Sequence, residues 1–160
     1  MITRPTTDAL IDDCCRELLE EILPGLTDET LRLRLVMTET VLRNAAVRAA
    51  HEIAWMHQET SSLLSYARQV AARHPDEPLR SALAAAGPDA GPPDSLHLAD
   101  VTGRYERAGE AFSVALAAAR QAGAADLVAR ARELLRDRIA TEKEIMASYA
   151  VVGRLSRSTL

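Results

Sequence analysis

The run His51-Glu52-Ile53-Ala54-Trp55-Met56-His57, with Glu59 just beyond it, concentrates side chains that do chemistry. It holds the only Trp and two of the four His of the chain. Imidazoles and carboxylates are the groups from which a metal centre or an acid–base pair is made. Their spacing argues against both. His51 and His57 are six residues apart and leave a helix on different faces. Glu52 and Glu59 share a face but stand roughly 10 Å apart along the axis. A carboxylate-bridged centre in a helical bundle needs a Glu-x-x-His pair on each of two helices. No Glu-x-x-His occurs in the sequence. Neither a metal nor a cofactor is expected. Glu52 and Glu59 are expected instead to edge an apolar seam and pair with arginines. His51 and Trp55 form an i,i+4 pair. Together with Met56 and His57 they could line a pocket or a partner surface. His51, Glu52, Trp55, Met56, His57 and Glu59 are therefore the ligand or partner candidates.

The other constellations are weaker. Glu106 and Glu110 lie opposite Tyr105 and Phe112, as on a solvated helix face. No glycine-rich phosphate loop, Ser-His-Asp order or Cys-x-x-Cys pattern is present. Cys14 and Cys15 are adjacent, and neighbouring side chains on a helix diverge by about 100°. They are expected to be small, reduced core residues. No catalytic residue is assigned.

The candidates sit within a stretch, 28–73, that contains neither Gly nor Pro. Leu35, Leu42, Ala49, Met56, Leu63 and Val70 recur every seven residues along it, with Ala46, Ile53, Thr60 and Ala67 beside them. This is a helical apolar stripe. A continuous helix of that length would reach roughly 70 Å. The polar run Gln58-Glu59-Thr60-Ser61-Ser62 leaves two outcomes open: one long helix, or a break near Thr60. Before it, a first helix is expected over 8–23, capped at Thr6 or Thr7 and ended by Pro24-Gly25. His74-Pro75 stops the second helix. A Pro/Gly/Ala-rich connector, 74–93, follows, with room for a short helix over 77–86. Such a length is either mobile or functional. A third long helix is expected from near Asp94-Ser95 to Gly123, with Leu98, Val101, Tyr105, Ala108, Phe112, Ala115, Ala119 and Ala122 inward. A fourth is expected over 125–152, with Val128, Ala131, Leu135, Ile139, Met146 and Tyr149 inward. Glu142 falls on that inner side and needs a partner, for which Arg138 is nearest. Residues 154–160 read as a frayed tail.

The expected fold is all-α: a four-helix bundle or close relative, with one long crossover and a long second helix, in a single helical domain over 1–160. The 160 residues carry a formal net charge of −4 with acids and bases interspersed. No basic block points to nucleic acid, and no apolar run approaches the roughly 18–20 residues that span a bilayer. Met1-Ile2-Thr3-Arg4-Pro5 lacks the apolar core of a signal peptide. A cytoplasmic protein is expected, with no nucleic-acid or membrane partner. Alanine-rich seams bury little area each. A homodimer is therefore expected, with the second helix at or near its interface.

Arg4-Pro5-Thr6, Leu10, Arg16-Glu17, Leu19-Glu20-Glu21, Leu23-Pro24 and Leu26 resemble the N-terminus of a family of small, uncharacterised bacterial helical proteins. Leu31-Arg32-Leu33-Arg34 and Val41-Leu42-Arg43 are similar to it as well. Members are often encoded beside aminoglycoside-phosphotransferase-like kinases and acyl-CoA dehydrogenases. The resemblance implies an accessory role in acyl-CoA or hydroxy-acid catabolism. It covers the N-terminal third, and Thr40 stands near where the family often has Asn. No catalytic residue is carried over. The function expected is a non-catalytic accessory or protein-interaction subunit. The alternative is a small-molecule-binding protein or enzyme with a pocket near His51, Trp55 and Thr60.

Overall fold

The computed structural model describes residues 4–87 and 95–146, with side chains described as far as 143. The described residues form an all-α structure. The chain runs α1 (Thr7–Glu17), a π-helical turn (Leu18–Ile22), a 3-10 turn (Leu23–Gly25), α2 (Glu29–Arg73), α3 (Glu77–Ala86), α4 (Leu98–Gln121) and α5 (Ala125–Met146). The expected third and fourth long helices are thus α4 and α5. Residues 88–94 of the connector, Asp94 among them, and the tail lie outside the described residues. So do the end of the fourth helix and the side chains of Met146 and Tyr149. Ser95 to His97 are not helical, so α4 begins at Leu98, later than expected.

Local chemistry sets the boundaries. Thr6 has extended backbone where α1 begins. Its hydroxyl bonds to Asp8 and holds that carboxyl below its ordinary pKa. The first helix does not stay α-helical to Leu23. It widens into the π turn and then tightens into a 3-10 turn at Pro24, whose ring offers no N–H. Asp28 Oδ1 accepts the N–H groups of Thr30 (2.7 Å) and Leu31 (3.1 Å), capping α2. From inside α2, Arg32 Nη1 donates to the carbonyls of Leu23 and Leu26, both at 3.1 Å. These bonds satisfy the end of the preceding turn.

α2 is one helix of 45 residues, with no break at Thr60. The polar run there does not need to cap a new helix. Ser61 and Ser62 donate to the carbonyls of His57 and Gln58, both at 3.2 Å, and stay within the helical ladder. Thr60 itself is buried.

Chain contacts group into two compact units: residues 1–52 with 140–160, and residues 53–139. The second unit has the larger apolar core. Leu63, Leu64, Tyr66, Ala67 and Val70 of α2 meet Leu79 and Ala86 of α3 there. Ala108, Ala111, Phe112, Ala115, Ala118 and Ala119 of α4, and Leu127 and Ala131 of α5, complete it. The alanines permit close helix approach, and the Tyr66 and Phe112 rings lie 5.2 Å apart, tilted by 50°. Short α3 is held from both ends. Leu79 is fully buried, and Arg68 of α2 donates to the carbonyl of Gly87 at 3.1 Å. Gly87 takes φ +80° there. α4 ends as expected at Gly123, φ +66°. The Gly123 N–H bonds Arg120 O (3.1 Å) and the Ala124 N–H bonds Ala119 O (3.0 Å), a Schellman closure into α5.

In the first unit, the described buried residues are Cys15 and Ala46 with three polar ones, Glu39, Thr40 and Asn44. The seven-residue stripe is therefore not a single buried seam. Leu63 and Val70 are buried, Leu42 and Met56 half-buried, and Ala49 exposed. A strict period of seven drifts around a straight α-helix by about 20° per repeat, so no fixed neighbour can cover it throughout. The inner face of α5 also differs from expectation. Leu127, Ala131 and Leu134 face the core, while Leu135 and Ile139 are 38% and 50% exposed. Leu127 and Leu134 flank Ala131 by four and three residues, the spacing of one helix face.

Candidate functional site

The sequence candidates fall into several environments. His51 is exposed in the first unit. Glu52 pairs with Arg48 one turn earlier, across a half-exposed helix surface. Trp55 and His57 are half-buried in the second unit. Met56 and Glu59 face α4. Thr102 donates to Met56 Sδ at 3.9 Å, and Tyr105 donates to Glu59 Oε2 at 2.9 Å.

Glu59 is the centre of a small polar inlay. Arg138 Nε of α5 stands 3.6 Å from its Oε1, an ion pair too long for a hydrogen bond. The same guanidinium lies 5.8 Å from the centroid of the Tyr105 ring, a cation–π distance. Three helices thus converge on one carboxylate. Both Glu52 and Glu59 pair with arginine, as their spacing suggested. Arg138, the expected partner of Glu142 on the inner face of the fourth helix, also reaches across to α2 and α4. Glu142 itself is exposed rather than on a buried face. Glu106 and Glu110 are exposed. The inlay has no nucleophile–base geometry, and Glu59 Oε1 is buried in it with the Arg138 ion pair but no hydrogen bond.

The first unit carries a second polar group. Glu39 is only 3% exposed and pairs with Arg43. Thr40 donates to Val36 O at 2.9 Å. The Cys15 thiol donates to the Glu39 carbonyl at 3.7 Å, while Cys14 is exposed. Burial, reinforced by the Glu39 charge, pushes the Cys15 pKa up, so the thiol stays protonated. Only one of the adjacent cysteines is a core residue. On the same unit, Leu10, Ile22, Leu31, Leu33, Met37 and Val41 are each 43–57% exposed.

A groove of about 350 Å³ opens in the second unit. Its walls are Ser61, Ser62, Ser65, Tyr66 and Gln69 of α2 with Arg130 and Leu134 of α5. The serines belong to the polar run that had suggested a break. None of these residues was singled out as a site from sequence. The available signal was Ser61, Ser65 and Gln69 at four-residue spacing, interleaved with core positions.

Among the described residues, no group of three or more His, Cys, Asp or Glu could hold a metal ion. No described helix is long and apolar enough to cross a membrane. No protein-family model matches the chain, and neither curated proteins nor solved structures give a match.

Proposed function

We propose that this chain is a non-catalytic, cytoplasmic accessory subunit that acts by docking, and that it associates first with a second copy of itself. The supporting observation is the exposed apolar surface of the first unit. Leu33, Met37 and Val41 repeat every four residues on α2 and are 47%, 57% and 54% exposed. Four-residue spacing makes a continuous ridge on a helix. The same segment buries Glu39, Thr40 and Asn44. Three of its large apolar side chains are therefore exposed while three polar ones are enclosed. Exposed apolar ridges of this kind mark association surfaces. Two copies of one ridge pack self-complementarily about a two-fold axis.

The proposed contact lies on Met37 and Val41. The lower half of the original stripe is unsuited to it, because the second unit's own core already covers Leu63 and Val70. Leu63→Asp would unfold that core whether or not a dimer exists. Sedimentation equilibrium at micromolar concentration is expected to give twice the 17.4 kDa chain mass. The double variant Met37→Asp, Val41→Asp should sediment as a single chain with an unchanged helical circular-dichroism spectrum. A wild-type protein that stays at one chain mass at every concentration overturns the proposal.

A further inference from the structure

The docking ridge of the first unit has a direction. Leu33, Met37 and Val41 continue at the same four-residue spacing into Ala45 and Ala49. Both alanines are exposed, as the three larger residues are. All five lie within the first unit and on one unbroken helix. The row tapers from Leu and Met, through Val, to Ala. A parallel pairing of two such rows sets Met37 against its own counterpart and Ala45 against its own. One level is then overfilled and the other leaves a gap, and both faults weaken a packed contact. An antiparallel pairing centred on Val41 sets Met37 of each copy against Ala45 of the other. Large then meets small at both levels, and Val41 meets Val41 on the two-fold axis.

The charges beside the ridge favour the same direction. Arg34 and Arg48 stand seven residues before and after Val41, on its side of the helix, and both are exposed. Arg48 Nε donates to Glu52 at 3.1 Å, so its charge is already countered. The residues one turn from Arg34 are Thr30, Leu31, Met37 and Thr38, none of them acidic. Parallel copies would bring the two Arg34 guanidinium groups together with no carboxylate one turn away. Antiparallel copies bring Arg34 to the Arg48–Glu52 pair instead, whose carboxylate can accept from a second guanidinium. Four-residue ridges cross at about −50°, which confines the apolar contact to the turns nearest Val41 and leaves the long arginines to reach across at its edges. We infer that two copies of the chain associate through an antiparallel crossing of α2 centred on Val41, with Met37 of each copy seated over Ala45 of the other. The inference rests on the self-association proposed above and adds its direction and register.

Sedimentation equilibrium of the full chain carrying Ala45→Met tests the direction by its sign. In the antiparallel crossing the longer side chain meets Met37, and dimerisation should weaken by about tenfold, the scale of over-packing. The double variant Met37→Ala, Ala45→Met exchanges large and small and should recover most of the wild-type affinity. In a parallel pairing Ala45→Met would fill a gap and tighten the dimer. Both positions are exposed in the single chain, so its circular-dichroism spectrum should hold. Cysteine pairs read the register directly, in a Cys14→Ser background that removes the exposed thiol. Chains carrying Met37→Cys and Ala45→Cys should cross-link with each other through a short thiol-bridging reagent. Each should cross-link poorly with itself, because two copies of one position stand roughly 12 Å apart along the axis. A wild-type dimer whose affinity is raised or unchanged by Ala45→Met overturns the inference and leaves the self-association standing. So does self-cross-linking of Met37→Cys as efficient as the mixed reaction. A wild-type chain that stays at one chain mass at every concentration overturns both.

Discussion

From Ile53 to Ile139 the buried side chains are aliphatic, aromatic or alanine, with Thr60 the one polar member among the described residues. Up to Glu52 they are Cys15 and Ala46 together with Glu39, Thr40 and Asn44. The two units draw on the same alanine- and leucine-rich composition, yet use it oppositely. The second places its leucines against one another and fills the gaps with alanine. The first leaves Leu31, Leu33, Met37 and Val41 half-exposed and encloses polar groups. Apolar burial supplies most of the favourable term in folding, whereas buried polar groups stabilise little beyond offsetting their own desolvation. Stability should therefore reside in the second unit, and apolar surface for association in the first.

The largest expected effect tests that division. Leu79 is fully buried and anchors the ten-residue α3, too short to persist as an isolated helix. Leu79→Ala should cost about 2–5 kcal/mol. Met37→Ala should change monomer stability by less than about 0.5 kcal/mol, the range of surface substitutions. Urea denaturation at a concentration low enough to suppress association measures both. Equal losses would erase the distinction between the units.

A second pair sharpens the comparison through two carboxylates. Glu39 is 3% exposed beside Arg43, whereas the Glu59 side chain is 26% exposed and also receives the Tyr105 hydroxyl. Arg43→Ala should cost about 1–3 kcal/mol, because it leaves a buried acceptor charge without its cation. Arg138→Ala should cost about 1 kcal/mol or less, since Tyr105 still donates to Oε2 and removal of the half-exposed Arg138 side chain opens Oε1 to water. Denaturation midpoints of the two variants, compared at one ionic strength, give the order. The reverse order would mean that the polar inlay, rather than the buried polar group, holds its unit together.

Periodicity made the fold class legible, along with the position of α3 and the Gly123 turn, because these follow from local chemistry: a capped apolar helix, a proline at its start, a glycine at φ +66°. The pairing of Glu52 and Glu59 with arginines was legible for the same reason. Three features were not. Neighbours decide which face of a long helix is buried, and Ala49 satisfies the pattern while lying exposed. On α5, Leu127 and Leu134 fit a helical face as well as Leu135 and Ile139 do, so only the packed partner selects between them. The groove was hidden because its serines read as polar punctuation. In place Ser61 and Ser62 bond to carbonyls of the preceding turn.

The smallest effect concerns the joint between helices within the second unit. Arg73 stands in the last turn of α2 and Asp126 in the first turn of α5, each at the helix end whose dipole favours its charge. Arg73 Nη1 lies 2.5 Å from Asp126 Oδ2, and Nη2 lies 3.4 Å from Oδ1. The hydrogen bond from Arg73 outweighs the opposing desolvation and, with the Arg73 charge, holds the Asp126 carboxyl below the ordinary aspartate range. A folded-state pKa below the unfolded one means that folding favours the ionised form. The stabilisation is therefore complete above the unfolded value of about 3.9 and fades as pH falls through the folded value. Side-chain exposures of 47% and 63% keep it small and open to salt screening. Asp126→Asn should lower the melting temperature slightly at neutral pH. That difference should stay constant down to about pH 5, shrink below about pH 4, and diminish at high salt. A difference that persists unchanged into acid would assign the loss to the helix start rather than to the ion pair. The joint would then be held by the Gly123 turn and the Leu127 contact alone.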